Sequence, residues 1–260
     1  MRTVRPGRMP GPFYMPPAAK GCHVGIVKLD EVHKIYPLGK TQVHAVKGVS
    51  FTIDKGDFIS IAGPSGSGKS TILNLIGCID TPTEGTVSIE GTPTSGLSDK
   101  EITNLRHRFI GFIFQSFNLV PVLNVFENIE FPLLLGSDTA RGAKAERRDY
   151  IDYLIEEVGL TDWRKHRPNE LSGGQRQRVA IARALVTKPQ IVLADEPTAN
   201  LDSKTGEAII ELMKKINRDM ETTFIFSTHD QAIVSIADHV IRLLDGEVVE
   251  NVKARAGAEA

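Results

Sequence analysis

The segment Gly63–Ser70 constrains this chain more than any other stretch. It reads G-P-S-G-S-G-K-S and matches the phosphate-loop (P-loop) pattern G-x-x-x-x-G-K-[ST] at every fixed position. The apolar run Phe58–Ala62 before it predicts a buried strand, and Ser70–Ile76 after it predicts a helix. A strand, this loop and a helix in succession are the context that the motif requires, so we expect an α/β protein.

The P-loop residues suit a bound polyphosphate. Three glycines let the backbone approach an anion closely, and the loop amides and the positive end of the helix dipole face that anion. We expect Lys69 to reach the β- and γ-phosphates, Ser70 to bind Mg²⁺ and Thr71 to lie beside the phosphates. An ordinary glycine-rich turn is the alternative that the motif alone leaves open. The candidate nucleotide-binding residues of this segment are Gly63, Pro64, Ser65, Gly66, Ser67, Gly68, Lys69, Ser70 and Thr71.

The composition is that of a globular protein with a sizeable core. Of the 260 residues, 41% are apolar and 24% are charged, and no apolar run approaches the roughly 20 residues that span a bilayer. The formal net charge of -1 gives no indication of a nucleic-acid partner. Cys22 and Cys78 are far apart and show no metal-ligand pattern, so a disulfide framework or zinc site is not expected and a reducing compartment fits.

A second motif ends another predicted strand. The run Ile191–Ala194 is continuously apolar, as in a strand buried on both faces, and Asp195 and Glu196 follow it. Carboxylates at the carboxyl end of such a strand point at the ligand crevice. We therefore expect Asp195 to hold Mg²⁺ and Glu196 to orient or deprotonate the attacking water. Two surface acids after a strand are the alternative interpretation.

A third motif, Leu171–Gln175, reads L-S-G-G-Q at the start of a predicted helix. A serine followed by two glycines makes a helix N-terminus that can bind an anion. On its own the pattern is also typical of an ordinary helix cap. Together with the P-loop it indicates a second phosphate contact.

The three motifs, with His229, have the order and spacing of the nucleotide-binding subunit of ABC transporters, which the chain resembles over about Val27–Glu250. The resemblance implies a P-loop NTPase cassette with a RecA-like core, an antiparallel β subdomain and an α-helical subdomain at about 116–186. The expected domain is 26–250, followed by a mobile tail at 251–260.

Residues 1–25 are rich in Pro and Gly, carry four basic side chains and lack the apolar run of a secretory signal. We expect them to be a disordered extension. A basic tail that touches anionic lipid and sequence upstream of the natural start are the alternatives.

The resemblance also implies roles for single residues. Tyr36 is similar to the aromatic residue that stacks on adenine, although a strand-end aromatic in the core is the alternative. Gln115 is similar to the glutamine that reaches Mg²⁺ and the attacking water. Asp202 is similar to the aspartate of the D-loop, and His229 to the histidine that contacts the γ-phosphate.

The resemblance implies a head-to-tail dimer with two ATP molecules between the subunits. The resemblance implies that each site joins one P-loop to the L-S-G-G-Q segment of the other copy, and that a membrane-spanning subunit docks near Gln115. The implied location is peripheral, on the cytoplasmic side of the inner membrane. The implied catalytic residues are Glu196, His229, Gln115 and Lys69. The implied metal ligands are Ser70, Gln115 and Asp195. The further implied ATP contacts are Ser172, Gly173, Gly174, Gln175 and Asp202.

Two segments, Phe114–Pro121 and Ala194–Asp202, most resemble the ATPases of macrolide export and lipoprotein release. That subgroup more often has Gly-Asn where this chain has Ala199-Asn200. The alternative is an ATPase switch of the same fold that regulates a membrane cell-division or signalling complex without transport. A soluble ABC ATPase of ribosomes or DNA repair is disfavoured, because those proteins usually carry two cassettes or a long coiled coil.

Overall fold

The computed structural model describes residues 25–39, 41–135 and 144–253. The strands are β1 (Val27–Leu38), β2 (Thr41–Ile53), β3 (Phe58–Ala62), β4 (Glu84–Ile89), β5 (Thr92–Pro93), β6 (Ile110–Ile113), β7 (Ile191–Asp195), β8 (Thr223–Thr228), β9 (His239–Leu244) and β10 (Glu247–Lys253). The α-helices are α1 (Lys69–Ile76), α2 (Asp99–Phe109), α3 (Val125–Leu135), α4 (Lys144–Glu157), α5 (Gly173–Leu185), α6 (Ser203–Met220) and α7 (Gln231–Val234).

The strands form two sheets of different character. One is antiparallel with the order β2-β1-β4-β5, and the other has six strands in the order β10-β9-β3-β8-β7-β6. The six-stranded sheet is parallel except for β10 at its edge. Its central strands β3 and β8 are buried at every position, as expected for a parallel sheet that is covered on both faces. The predicted α/β class is confirmed.

The parallel sheet separates two apolar cores. Helices α3, α4, α5 and α6 pack their buried side chains on one face. The other face packs against α1 and the antiparallel sheet. All regular elements that the structure describes between 116 and 186 are helices, including the short 3-10 helices Thr161–Trp163 and Pro168–Glu170.

The sheet register gathers the predicted motifs at one edge. The last residue of β3, Ala62, lies opposite Thr228, and Asp195 at the end of β7 lies opposite Ser227. Because β3, β7 and β8 are parallel neighbours, the residues that follow them meet at the same carboxyl-end crevice. The P-loop, Glu196 and His229 are therefore brought together by strand order.

Strand β10 extends beyond the predicted boundary of the domain. Residues 251–253 belong to this strand, and Lys253 Nζ lies 2.7 Å from Asp54 Oδ2 and 2.8 Å from Asp57 Oδ1. The predicted mobile tail therefore begins too early, because its first three residues pair with β9. The rest of that tail, residues 1–24 of the predicted extension at 1–25, and residues 136–142 lie outside the described residues. Within the described ranges, no helix is both long and apolar enough to span a membrane.

The amino end of the same sheet carries a buried polar network around His239. Its Nε2 lies 2.7 Å from Asn251 Oδ1 and its Nδ1 lies 3.4 Å from Asp57 Oδ2. Burial alone would lower the pKa of His239, but the hydrogen bonds to Asp57 and Asn251 outweigh it and raise the pKa above 6.5. The pKa of Asp57 is lowered: its burial would raise it, and the bonds from His239 and Lys253 prevail.

This network predicts a pH-dependent stability. A group whose pKa is higher in the folded state than in the unfolded state stabilises the fold. Its contribution is complete at pH values below the unfolded-state pKa, and it is lost as the pH rises through the folded-state pKa. We therefore expect His239→Gln to cost about 1–3 kcal/mol near pH 6 and less at higher pH. Urea unfolding from pH 5.5 to 9, in about 0.5-unit steps, measures the free energy of unfolding at each pH. His44→Gln, at an exposed position, is the control. An equal cost of His239→Gln at every pH would contradict the prediction.

Candidate functional site

The P-loop connects β3 to α1 and is shaped by close backbone contacts. Gly68 has φ 100°, and a Cβ at this position would collide with the carbonyl oxygen of Ala45. A Cβ at Gly63 would likewise collide with the carbonyl oxygen of Leu243. Both positions therefore need glycine for steric reasons that concern the fold as well as a ligand.

The hairpin turn between β9 and β10 supports this loop from behind. The Gly246 amide donates to the Ser67 carbonyl at 3.2 Å, and the Gly246 carbonyl accepts from the Lys47 amide at 2.8 Å. The turn residues are Asp245 and Gly246, a pair typical of hairpins, and both have positive φ. It joins the P-loop to the antiparallel sheet.

Lys69 begins α1 and folds back over the loop. Its ammonium group donates to the carbonyls of Gly63 at 2.8 Å and Pro64 at 2.9 Å, and its side chain is 6% exposed. The hydroxyl of Ser67 is also buried and, among the described residues, has no hydrogen-bond partner. A buried cation and a buried hydroxyl without a partner, both beside loop amides, suit an anionic ligand.

Ser70 and Asp195 are brought together across the crevice. The Ser70 hydroxyl donates to Asp195 Oδ1 at 3.0 Å, and the Ser227 hydroxyl donates to the same oxygen at 2.6 Å. Hydroxyl and carboxylate oxygens are ligands that Mg²⁺ prefers. Among the described residues, no group of three or more His, Cys, Asp or Glu side chains is placed to hold a metal ion.

Glu196 lies between a cation and an imidazole. Its Oε2 is 2.8 Å from His229 Nδ1, and its Oε1 is 3.7 Å from Lys69 Nζ. The carboxylate is 18% exposed, whereas His229 is 65% exposed. Glu196 has φ 46°, a left-handed conformation that costs about 1–3 kcal/mol and that recurs at functional sites. Its amide donates to the Ser227 hydroxyl at 2.9 Å, which holds this conformation.

Tyr36 is half-buried near the end of β1, close to the amino end of α1. Its hydroxyl donates to Asp80 Oδ2 at 2.7 Å, and Lys34 Nζ lies 4.9 Å from the ring centroid. Burial and the neighbouring Asp80 carboxylate raise the pKa of Tyr36, while a hydrogen bond with Thr71 opposes them. The ring is therefore held in a fixed orientation beside the P-loop helix.

The segment after β6 brings Gln115 to the edge of the same crevice. The Gln115 carbonyl accepts from the Asn200 side chain at 2.9 Å, and its side chain is exposed. Asp202 caps α6, because its carboxylate accepts from the Thr205 amide at 3.0 Å. These contacts join the Gln115 segment to the segment that follows Glu196.

The predicted L-S-G-G-Q segment forms the start of α5. The Ser172 hydroxyl accepts from the Gln175 amide at 3.3 Å, and the Gln175 side chain accepts from the Ser172 amide at 2.8 Å. Gly173 faces Leu201 and Gly174 faces Thr205 closely enough that a Cβ would press on either side chain. The hydrogen bonds of this segment are thus local, whereas those of Asp195 and Glu196 cross the crevice.

Sequence reasoning missed three residues that hold the site together, namely Ser227, Asp80 and Asn200. Ser227 is a polar residue directly after the apolar run Phe224–Phe226 in a strand buried at every position, and this pattern could have revealed it. Asp80 is separated from Tyr36 by 44 positions and has no local signal. Asn200 lies inside a motif that we recognised, yet its contact to Gln115 is visible only in three dimensions.

Comparison with known protein families identifies the family of the chain that carries this site. The family described as ABC transporter matches residues 46–199, which include the P-loop, the L-S-G-G-Q segment and Glu196. The chain belongs to the ABC transporter ATP-binding family. The predicted resemblance is confirmed, and the cassette is an ATP-binding ATPase.

Relatives of the cassette include transport ATPases. An uncharacterized ABC transporter ATP-binding protein of Methanocaldococcus jannaschii is 47% identical over 230 residues, covering 88% of this chain and 98% of that protein. The lipoprotein-releasing system ATP-binding protein LolD 1 of Rhodopseudomonas palustris is 42% identical, and the match covers 86% of this chain and 98% of that protein. The macrolide export ATP-binding/permease protein MacB of Bdellovibrio bacteriovorus is 42% identical, and the match covers 89% of this chain and 34% of that protein.

The fold of the cassette also matches a solved dimer. A post-hydrolysis state of the M. jannaschii ATP-binding cassette, bound to ADP and Pi, has a TM-score of 0.80 and 48% sequence identity. The match covers 88% of this chain and 99% of that one. The expected cassette architecture is therefore confirmed at the level of the whole domain.

Proposed function

We propose that this cassette hydrolyses ATP to power a separate membrane subunit of the lipoprotein-release and macrolide-export type. The observation that carries the proposal is the Glu196 carboxylate, which lies 2.8 Å from His229 and 3.7 Å from Lys69 at the mouth of the P-loop. LolD and MacB relatives that align over most of this chain support the subgroup.

In the proposed reaction Glu196 accepts a proton from water at a carboxylate oxygen as the water oxygen attacks the γ-phosphorus. The bond from that phosphorus to the bridging oxygen breaks, and ADP and phosphate leave. Lys69 offsets the phosphate charge. His229 orients the Glu196 carboxylate through Nδ1, and its other ring nitrogen would contact the γ-phosphate.

The proposed metal is Mg²⁺, with Ser70, Asp195 and Gln115 as its protein ligands. The Ser70 and Asp195 oxygens already lie 3.0 Å apart, and Ser227 fixes the orientation of the carboxylate. Bound there, Mg²⁺ would neutralise charge on the β- and γ-phosphate oxygens. Tyr36 would supply a stacking surface for adenine, which is worth about 1–3 kcal/mol per base on aromatic side chains.

The proposed working unit is a head-to-tail homodimer with ATP at the interface. The solved dimer of the M. jannaschii cassette supports this arrangement. Ser172 and the two glycines after it sit at the N-terminus of α5, where free amides and the helix dipole favour the γ-phosphate of the other copy's ATP. Asp202, at the start of α6, would lie along the same interface.

The proposed docking site of the membrane subunit is the groove beside Gln115. The groove has a volume of about 420 Å³, and its lining includes Phe112 of β6, Phe114 directly after that strand and Phe131 of α3. Exposed Leu134 and Leu135 extend the apolar surface at the end of α3. Such a surface fits a peripheral position on the cytoplasmic side of the inner membrane, held by the partner.

Co-purification from native membranes tests this function. We would use tagged Glu196→Gln with ATP to hold the closed dimer, and tagged Lys69→Ala as the control that lacks the phosphate-binding cation. We expect a membrane chain with few spans and one large extracytoplasmic domain. Recovery of a cell-division or cell-wall hydrolase complex would support the switch alternative, and recovery of soluble partners alone would overturn both.

A further inference from the structure

Gln115 lies in a tight turn that other segments hold from outside. The Phe117 amide donates to the Phe114 carbonyl at 3.1 Å, which closes a four-residue turn around Gln115. The Gln115 carbonyl itself accepts from the Asn200 side chain at 2.9 Å. The position of the Gln115 side chain therefore depends on the conformation of this turn.

The last residue of this turn and the residue that follows it have an unfavourable backbone conformation. Phe117 has φ 61° and Asn118 has φ 48°, and neither is glycine. Left-handed backbone brings Cβ of an L-residue close to the following carbonyl oxygen, and asparagine tolerates it better than phenylalanine does. Such a pair persists only where surrounding contacts impose it.

Arg183 of α5 supplies those contacts. Its Nη2 donates to the Phe117 carbonyl at 2.7 Å, and its Nη1 donates to the Asn118 carbonyl. The planar guanidinium presents two N–H donors in a fixed fork, which matches two successive carbonyls that the left-handed turn points in one direction. Arg176, two turns earlier in α5, lies 5.2 Å from the Phe117 ring centroid and packs on the same turn.

The same guanidinium lines the groove next to Gln115. Arg183 and Asn118 form part of its wall together with Phe114 and the α3 residues Phe131 and Pro132. A chain segment that enters this groove would contact the side chain that holds the turn. Arg183 therefore connects the groove to the hydrolytic site through two hydrogen bonds and one short turn.

We propose that Arg183 is a positioning residue for Gln115, which holds the strained Phe117-Asn118 turn and thereby places the Gln115 side chain for hydrolysis. The inference rests on the proposed function only for the role of Gln115. The two hydrogen bonds from Arg183 to the Phe117 and Asn118 carbonyls, which we call the clamp, concern only the backbone conformation of residues 115–118.

The first experiment compares Arg183→Lys with Arg178→Lys. Arg178 is the matched control, because it lies in the same helix and also donates to a backbone carbonyl, that of Val158, at 2.8 Å. A lysine cannot form the two-donor fork. We expect Arg183→Lys to lower kcat about 10- to 100-fold with KM for ATP within about threefold, and Arg178→Lys to leave both near wild type.

Amide hydrogen exchange gives a second result that does not depend on activity. In Arg183→Lys we expect the Phe117 and Asn118 amides to exchange about 10- to 100-fold faster than in wild type or in Arg178→Lys. Unchanged exchange would overturn the clamp even if hydrolysis fell. Absence of ATPase activity in the wild-type protein would instead refute the proposed function and leave the exchange comparison decisive for the clamp.

A second-site substitution separates positioning from general destabilisation. Glycine adopts left-handed φ freely, so Asn118→Gly in the Arg183→Lys background should recover at least several-fold of the lost kcat. A double variant no more active than Arg183→Lys would contradict the proposal. If Arg183→Lys does not fold, Asn118→Val tests the same turn without touching α5. It should lower kcat with little change in KM, and wild-type kcat in that variant would overturn the inference.

Discussion

Glu196→Gln will bind ATP but will hydrolyse it about 10²- to 10⁴-fold more slowly than the wild-type cassette. Glutamine keeps the size of the side chain and can still accept a hydrogen bond from His229, but it cannot take a proton from water. The loss of negative charge also leaves Lys69, 3.7 Å away, freer to bind the phosphates. Nucleotide affinity should therefore be retained or raised.

Phosphate release, equilibrium ATP binding and sedimentation of the protein with ATP measure this result. We expect the variant to accumulate as a dimer, because the γ-phosphate that links the two subunits is not removed. Glu207→Gln, on the exposed face of α6, is the matched control and should retain wild-type turnover. If Glu196→Gln kept normal turnover, Glu196 would not be the general base.

Lys69→Ala should weaken ATP binding about 100-fold and reduce hydrolysis at least in proportion. The ammonium group lies within 2.9 Å of two P-loop carbonyls and faces the Glu196 carboxylate. Removing it deletes a cation from the phosphate site and leaves Glu196 facing the phosphates with no cation between them. Both effects oppose an anionic ligand.

Two further variants make this prediction specific. Lys100→Ala, at an exposed position of α2, should bind ATP as the wild type does. The double variant Lys69→Ala/Glu196→Gln should bind ATP more tightly than Lys69→Ala alone, because the unpaired carboxylate is gone. Equal affinities of the double and single variants would show that the two side chains are not electrostatically coupled in the nucleotide site.

Local sequence signals were sufficient to predict the elements that carry the motifs. The sequence of helix α6, Ser203–Met220, carries its own signals, because Asp202 can cap its start and an apolar stripe recurs along it. The reciprocal Ser172–Gln175 cap of α5 likewise follows from residues three positions apart. Each of these features depends on residues that lie within one or two helical turns of one another.

Features that depend on distant partners were not predictable in the same way. The local pattern favours a first strand that ends at Tyr36 and a second that begins at Val46. In the structure, β1 continues to Leu38 and β2 begins at Thr41, because the two strands pair as a ribbon. The orientation of Tyr36 depends on Asp80, and that of Glu196 depends on Ser227. In each case a hydrogen bond across tens of residues selects among conformations that local preferences leave open.

The turn at Gly246 has a consequence for how this protein is made. Gly246 and Leu243 buttress the P-loop, although they are synthesised roughly 180 residues after Gly63. At about 5–20 residues per second, a ribosome needs on the order of 10 to 40 seconds to cover that distance. The nascent chain therefore exposes the glycines of its P-loop well before the strands that shape them exist. Nucleotide can act as a folding ligand only near the end of translation, and a chain that stops before β9 would lack an ATP site despite carrying every residue of the motif.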